Sequence, residues 1–216
     1  MEENLVKTAA KGFCEGIAAG ICITLGCAVF LGLPEQKALG AVLFAVALLC
    51  ICFKGYNLYT GKIGLIVENH TKSDFTALIA GLAGNVAGAV AGGLLLRAAL
   101  PDTAAQAETV CAAKLGLSFL SVLLRGAFCG VLMYLAVSIF RENGTIAGIL
   151  FCIPAFILSG FEHSIADICY FATAAEFSGE AALFLAAAAA GNTVGAMILP
   201  ALKIIFVRKE KTSEKD

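Results

Sequence analysis

Apolar residues run in stretches far longer than a soluble helix needs, and polar residues collect mainly between them. Six such segments stand out, at about 13–33, 38–68, 75–100, 112–140, 144–174 and 178–206. A hydrocarbon core of about 30 Å takes roughly 20 apolar residues in helical form, so each segment is long enough to cross one. The second and fifth differ from the rest. Each is a strong apolar run, then a polar, glycine-flanked interruption, then a short remainder: GYNLYTGKIG in the second and SGFEHSIAD in the fifth. The pattern predicts an all-α polytopic membrane protein with six transmembrane helices, of which helices 2 and 5 are broken.

The two interruptions occupy corresponding places. AGNVAGA at 83–89 matches AGNTVGA at 190–196, which sets Asn192 107 positions after Asn85. The same offset places Leu43-Phe44 on Leu150-Phe151, and a nearly equal one of 105 places Gly55 on Gly160. The chain thus reads as a single transmembrane domain over 1–206, built from two repeats at about 1–104 and 105–206, with a charged tail at 207–216. Three helices per repeat is an odd number, so the second repeat must be inverted in the bilayer. Paired, interrupted helices in an inverted repeat mark a translocation site near the midplane. Basic residues gather at both ends: Lys7 and Lys11, then Lys203, Arg208, Lys209, Lys211 and Lys215. The link around Glu176 to Glu180 has none, which places both termini in the cytoplasm.

Composition agrees with this reading. The chain is 60% hydrophobic and 14% charged, whereas soluble domains carry about 25% charged residues. A net charge of −1 leaves no basic face for nucleic acid. The nine cysteines sit mostly inside apolar runs without a CxxC pattern and read as small buried hydrophobes. No cleavable signal peptide is evident at the first apolar run. Glycines at small-xxx-small spacing, as in Gly16-Gly20, Gly84-Gly88 and Gly88-Gly92, predict close helix packing.

Unwound backbone at membrane depth survives only when buried in protein or lining a watery cavity. The polar groups of FILSGFEHSIAD should therefore point toward a path, and so should Asn57, Thr60 and Lys62 of the other break. Capping of helix ends is the alternative use of such residues. His163 is the sharpest single residue, because an ionisable group within a membrane segment is a functional hypothesis by default and imidazole exchanges protons near neutrality. The other histidine, His70 in VENHTKSD, reads as solvated surface. Metal binding lacks a second histidine or a carboxylate cluster at ligand spacing. An enzyme built on Glu162, His163 and Asp167 would need a nucleophile and an orienting partner, and neither these nor a cofactor motif is visible; no enzyme activity and no cofactor are expected.

FILSGFEHSIAD resembles the fifth-helix motif of the formate/nitrite transporter family. GICITLG resembles that family's first-helix glycine pattern, NLYTG its omega loop in the broken second helix and GNVAGA its third-helix asparagine motif. RGAFCGVLMYLAV resembles its fourth-helix pattern, and AGNTVGA the closing motif of helix six. The resemblance implies a homopentamer of aquaporin-like protomers in the cytoplasmic membrane, each with its own pore for a small monovalent weak-acid anion such as formate, nitrite or hydrosulfide. Carried over by position, His163 is the central pore histidine and Lys114 the vestibule lysine. Thr60, with Leu58 and Tyr59, forms the omega loop. Phe44, Leu48 and Phe156 match the apolar constrictions, and Asn85 and Asn192 the paired helix-end asparagines along the pathway.

Three departures from the family pattern are visible. Asp167 stands where Asn is usual, adding a negative charge and an alternative partner for His163. Gly130 replaces the usual Asn of helix four, and Lys62 follows Thr60-Gly61 where many members have a neutral residue. Lys62, Glu162 and Asp167 are therefore candidate modulators. The implied mechanism is attraction of the anion by Lys114, then proton exchange or charge compensation at His163, with the ligand crossing as the anion or its neutral acid. A neutral-solute channel would need neither residue; it stands as the alternative, ahead of a membrane-embedded enzyme.

Overall fold

The computed structural model describes residues 2–68 and 70–213 and contains, among them, helices and no strand. The elements are α1 (Glu2–Leu31), α2 (Lys37–Lys54), α3 (Tyr59–Lys62), α4 (Lys72–Ala99) and α5 (Pro101–Leu115), followed by α6 (Phe119–Asn143), α7 (Ala147–Leu158), α8 (Ser164–Ala174) and α9 (Gly179–Ser213). Five stretches among them are long and apolar enough to cross a membrane: Glu3–Leu31, Pro34–Lys54, Lys72–Ala99, Phe119–Asn143 and Gly179–Phe206. The apolar α7 and α8 are shorter, at 12 and 11 residues. Of the tail expected at 207–216, α9 continues to Ser213, and residues 214–216 lie outside the described residues.

Two helices stop in the same way. Gly55 follows α2 at φ 70°, and Gly160 follows the end of α7 at φ 69°. Left-handed backbone carries little penalty for glycine, and it lets the next amide turn back onto the helix. The Tyr56 N–H then donates to the Ile51 carbonyl at 3.0 Å, and the Phe161 N–H to the Phe156 carbonyl at 3.0 Å. These six-to-one bonds are the Schellman closure of a helix end. The chain resumes as α3 and α8 after short non-helical stretches.

The expected fourth segment, 112–140, divides. Ser118 caps α6 by accepting from the Ser121 N–H at 3.3 Å, so the long helix starts at Phe119. Residues before it form the separate α5, opened by Pro101 at its first turn. That helix carries Asp102, Glu108 and Lys114 and is too polar to share one apolar span with α6. The alignment of Leu43-Phe44 on Leu150-Phe151 also fails, because Phe44 is 3% exposed and Phe151 76%. Residues with such different surroundings are not counterparts.

Packing is closest between α1 and α4 and between α6 and α9. Lipid gives helices little hydrophobic reason to associate, so close backbone approach through small residues holds them. A methyl on Gly20 would stand 2.7 Å from the Ala89 nitrogen, and one on Gly126 would stand 2.8 Å from the Ala188 carbonyl oxygen. Outward faces carry exposed Leu95, Phe53, Phe128 and Phe151. The interior they enclose is where the two glycine-ended breaks meet.

Candidate functional site

Two buried asparagines hold the breaks open. Asn85 on α4 accepts from the Tyr59 N–H at 2.8 Å through Oδ1, and its Nδ2 donates to the Asn57 carbonyl at 2.7 Å and the Gly16 carbonyl at 2.9 Å. Asn192 on α9 repeats the arrangement: Oδ1 accepts from the Ser164 N–H at 2.8 Å, and Nδ2 donates to the Glu162 carbonyl at 2.7 Å and the Gly126 carbonyl at 2.9 Å. Each amide thus serves a backbone donor and acceptor that no helix satisfies. Buried backbone groups left alone cost heavily, so these residues are what permits irregular chain at this depth. Expected along the pathway, both are 0% exposed and spend their side-chain groups on backbone.

His163 sits where the breaks face each other. It caps α8, its Nδ1 accepting from the Ala166 N–H at 3.1 Å. An Nδ1 that accepts carries no proton, so the neutral ring holds its proton on Nε2. Nε2 lies 2.8 Å from Thr60 Oγ1, in the opposite break, and donates to it. Both residues are buried, at 3% and 0% exposure. Phe156 stacks on the imidazole with ring centres 5.7 Å apart, and Phe44 meets Phe156 edge-on at 6.2 Å. One titratable ring is therefore held between a phenyl ring, itself backed by a second, and a hydroxyl.

A cavity of about 570 Å³ opens beside the first break. Leu48 and Leu58, both nearly fully buried, line its inner end. Lys62, Arg141, Glu68 and Asp74 supply its charge. The two carboxylates have partners of their own. Glu68 accepts from the Tyr134 hydroxyl at 2.8 Å and pairs with Lys203 at 3.5 Å, while Asp74 completes the cap of α4 with Thr71. Lys62 and Arg141 make no ion pair among the described residues.

Lys114 lies elsewhere, at the end of α5. Its ammonium contacts the Glu162 carboxylate and stands 2.9 Å from Asp167 Oδ1. The rings of Tyr170 and Phe184 lie 5.7 and 5.6 Å from it. Phe184 also borders a smaller cavity of about 230 Å³ with Leu115, Leu117 and Glu180. Asp167, expected as an alternative partner of His163, thus binds Lys114 through its side chain; its link to His163 is a backbone bond of 2.9 Å to the histidine carbonyl.

The structure brings His163, Thr60, Phe44 and Phe156 together at one level, with Leu48 and Leu58 at the inner end of the larger cavity and the cluster of Lys114, Glu162 and Asp167 apart from it. Tyr59 points away from His163: its hydroxyl meets Thr193 Oγ1 at 2.9 Å, and its ring packs with Ile63, Leu78 and Tyr134. Sequence reading missed Arg125, which donates to the Gly160 carbonyl at 3.2 Å and braces the glycine turn, although it stands in the quoted RGAFCG motif. It also missed Arg141, for which no local signal exists.

Solved structures share this architecture. One described as an FNT family ion channel aligns with TM-score 0.79 at 21% identity, covering 96% of this chain and 99% of its own. A second, described as a pentameric formate channel with formate bound, aligns with TM-score 0.75 at 19% identity, covering 94% and 98%. At those identities the likeness is one of fold. Formate-nitrite transporter 3 of Toxoplasma gondii is 33% identical over 147 residues, 61% of this chain but only 29% of that protein's length. The sequence matches the formate/nitrite transporter family across residues 1–206, and the chain belongs to that family.

Proposed function

We propose that this chain forms a homopentamer in the cytoplasmic membrane in which each protomer conducts a small monovalent weak-acid anion of the formate, nitrite or hydrosulfide class. The observation that carries the proposal is the single imidazole, buried against Phe156 and hydrogen-bonded to Thr60, at the junction of two capped breaks. On this reading α2 with α3, and α7 with α8, are broken membrane spans within two inverted three-helix repeats. The matching hydrogen bonds of Asn85 and Asn192, and the matching Gly55 and Gly160 ends, support that repeat. Both termini are assigned to the cytoplasm.

An anion at the bilayer centre is costly, and a ring of phenyl and leucyl side chains removes water without returning charge. The ligand therefore crosses Phe44 and Phe156 most cheaply as the neutral acid. Lys62 with Arg141 draws the anion from one side; on the other, Lys114, already paired with Glu162 and Asp167, offers a passing anion a hydrogen-bond donor rather than net positive charge. At the constriction, the resting ring presents Nε2–H, the atom that can hydrogen-bond to or protonate what passes. Supplying a proton requires an imidazolium, so a second proton, taken from water, has to settle on Nδ1. That step breaks the bond to Ala166 and makes His163 charge only when an anion nearby favours it. After donation from Nε2 the ring is neutral again and regains its resting tautomer by exchange with water.

Purified protein in liposomes tests this with a panel of formate, nitrite, hydrosulfide, glycerol and water. The reading expects flux of the weak-acid anions above protein-free vesicles and none of glycerol. Glycerol or water flux without anion flux would support a neutral-solute channel and refute the proposal.

A further inference from the structure

We propose that Asp167, together with Lys114 and Glu162, forms a proton-binding site separate from His163, whose occupancy decides how readily an anion enters the pathway. The inference rests on the functional reading above. Its basis is an imbalance of charge. One ammonium, that of Lys114, is shared by two carboxyl groups whose side chains are 4% and 2% exposed. Asp167 Oδ1 is 2.9 Å from the lysine, while its Oδ2 is buried and has no hydrogen-bond partner. Asp167 and Glu162 both lie within ion-pair reach of the same ammonium, and two negative charges held against one positive charge repel each other.

Among the described residues no other cation pairs with these carboxylates. Arg125 of α6 is turned to the Gly160 carbonyl at 3.2 Å, and Arg97 of α4 to Glu108 and the Thr173 carbonyl. Among the described residues, the other titratable groups near Asp167 are Cys111 of α5, Cys129 of α6, Cys27 of α1 and Tyr170 of its own helix. Thiols and a phenol add no positive charge. With a proton on Asp167 the cluster is neutral; without it the cluster carries −1 and repels an incoming anion. Raising the pH therefore closes the approach, by a route that does not involve the imidazole. Asparagine at this place would leave Lys114 paired with Glu162 alone.

The test is Asp167→Asn in proteoliposomes, reading formate flux against formate concentration between about pH 5 and pH 8. Approach and transit separate in the kinetics: the cluster acts on the half-saturating concentration, His163 on the maximal rate. In the unsubstituted protein the half-saturating concentration is expected to rise by about fivefold across the midpoint of the site, the worth of one unit charge in watery surroundings, and D167N should hold it constant. A D167N profile that tracks the unsubstituted protein overturns the proposal. Infrared difference spectra of the unsubstituted protein, taken across the same pH range, provide a second readout. A protonated-carboxyl C=O stretch that titrates is expected, and its absence throughout also overturns the proposal. An unsubstituted protein that passes no weak-acid anion defeats the functional reading instead, and the infrared band then decides the proton site alone.

Discussion

Asn192→Ala removes one side chain and three hydrogen bonds, and the cost follows from what is left behind. The Gly126 carbonyl belongs to α6 and keeps its helical partner. The Ser164 N–H and the Glu162 carbonyl lie outside helical bonding and lose their side-chain partner. Each buried group left unsatisfied costs about 1–3 kcal/mol, so the loss is about 2–6 kcal/mol, before the small cavity is counted. Asn85→Ala strands the Tyr59 N–H and the Asn57 carbonyl in the same way and should cost a similar amount. Equilibrium unfolding in mixed detergent micelles measures both. The N192A protein should also lose flux, because the Glu162 carbonyl it releases adjoins His163. A loss below about 1 kcal/mol with unchanged flux would refute the view that these asparagines hold the breaks.

Gly20→Ala should destabilise the α1–α4 contact by about 1–3 kcal/mol, since the new methyl would stand 2.7 Å from backbone atoms of α4; thermal unfolding of the purified protein checks this. Lys62→Gln should weaken anion capture from the larger cavity. A unit charge about 4 Å from the ligand in watery surroundings contributes about 1 kcal/mol, or about a fivefold rise in half-saturating formate. That rise should shrink at high ionic strength, and vesicles of known protein orientation read it from one side at a time.

Much of the helical framework was legible in apolar run lengths, and both glycine-ended breaks were legible as polar interruptions. Gly55 and Gly160 could be paired because a left-handed turn demands a particular residue. Phe44 and Phe151 were mispaired because either apolar residue suits a lipid-facing or a buried position, and spacing alone does not separate them. The asparagine motifs were visible as a repeat, but their use was not, since the groups they bind lie 28 and 30 residues away along the chain. Lys114 stood out only through family resemblance, and its partnership with Glu162 and Asp167 joins segments that no local pattern connects. The boundary between α5 and α6 was missed because Leu115 and Leu117 carry the apolar pattern across Gly116.

Formate uptake by His163→Asn protein in proteoliposomes, followed from about pH 5 to pH 8, tests the imidazole most directly. Asparagine is a strong helix N-cap, so α8 keeps its start while the titratable ring is lost. Loss of a positioned proton donor should lower flux about a hundredfold or more, and the residual flux should lose the pH dependence that His163 gives the maximal rate. A variant that assembles normally and carries formate at the unsubstituted rate, with the same pH profile, would contradict the account.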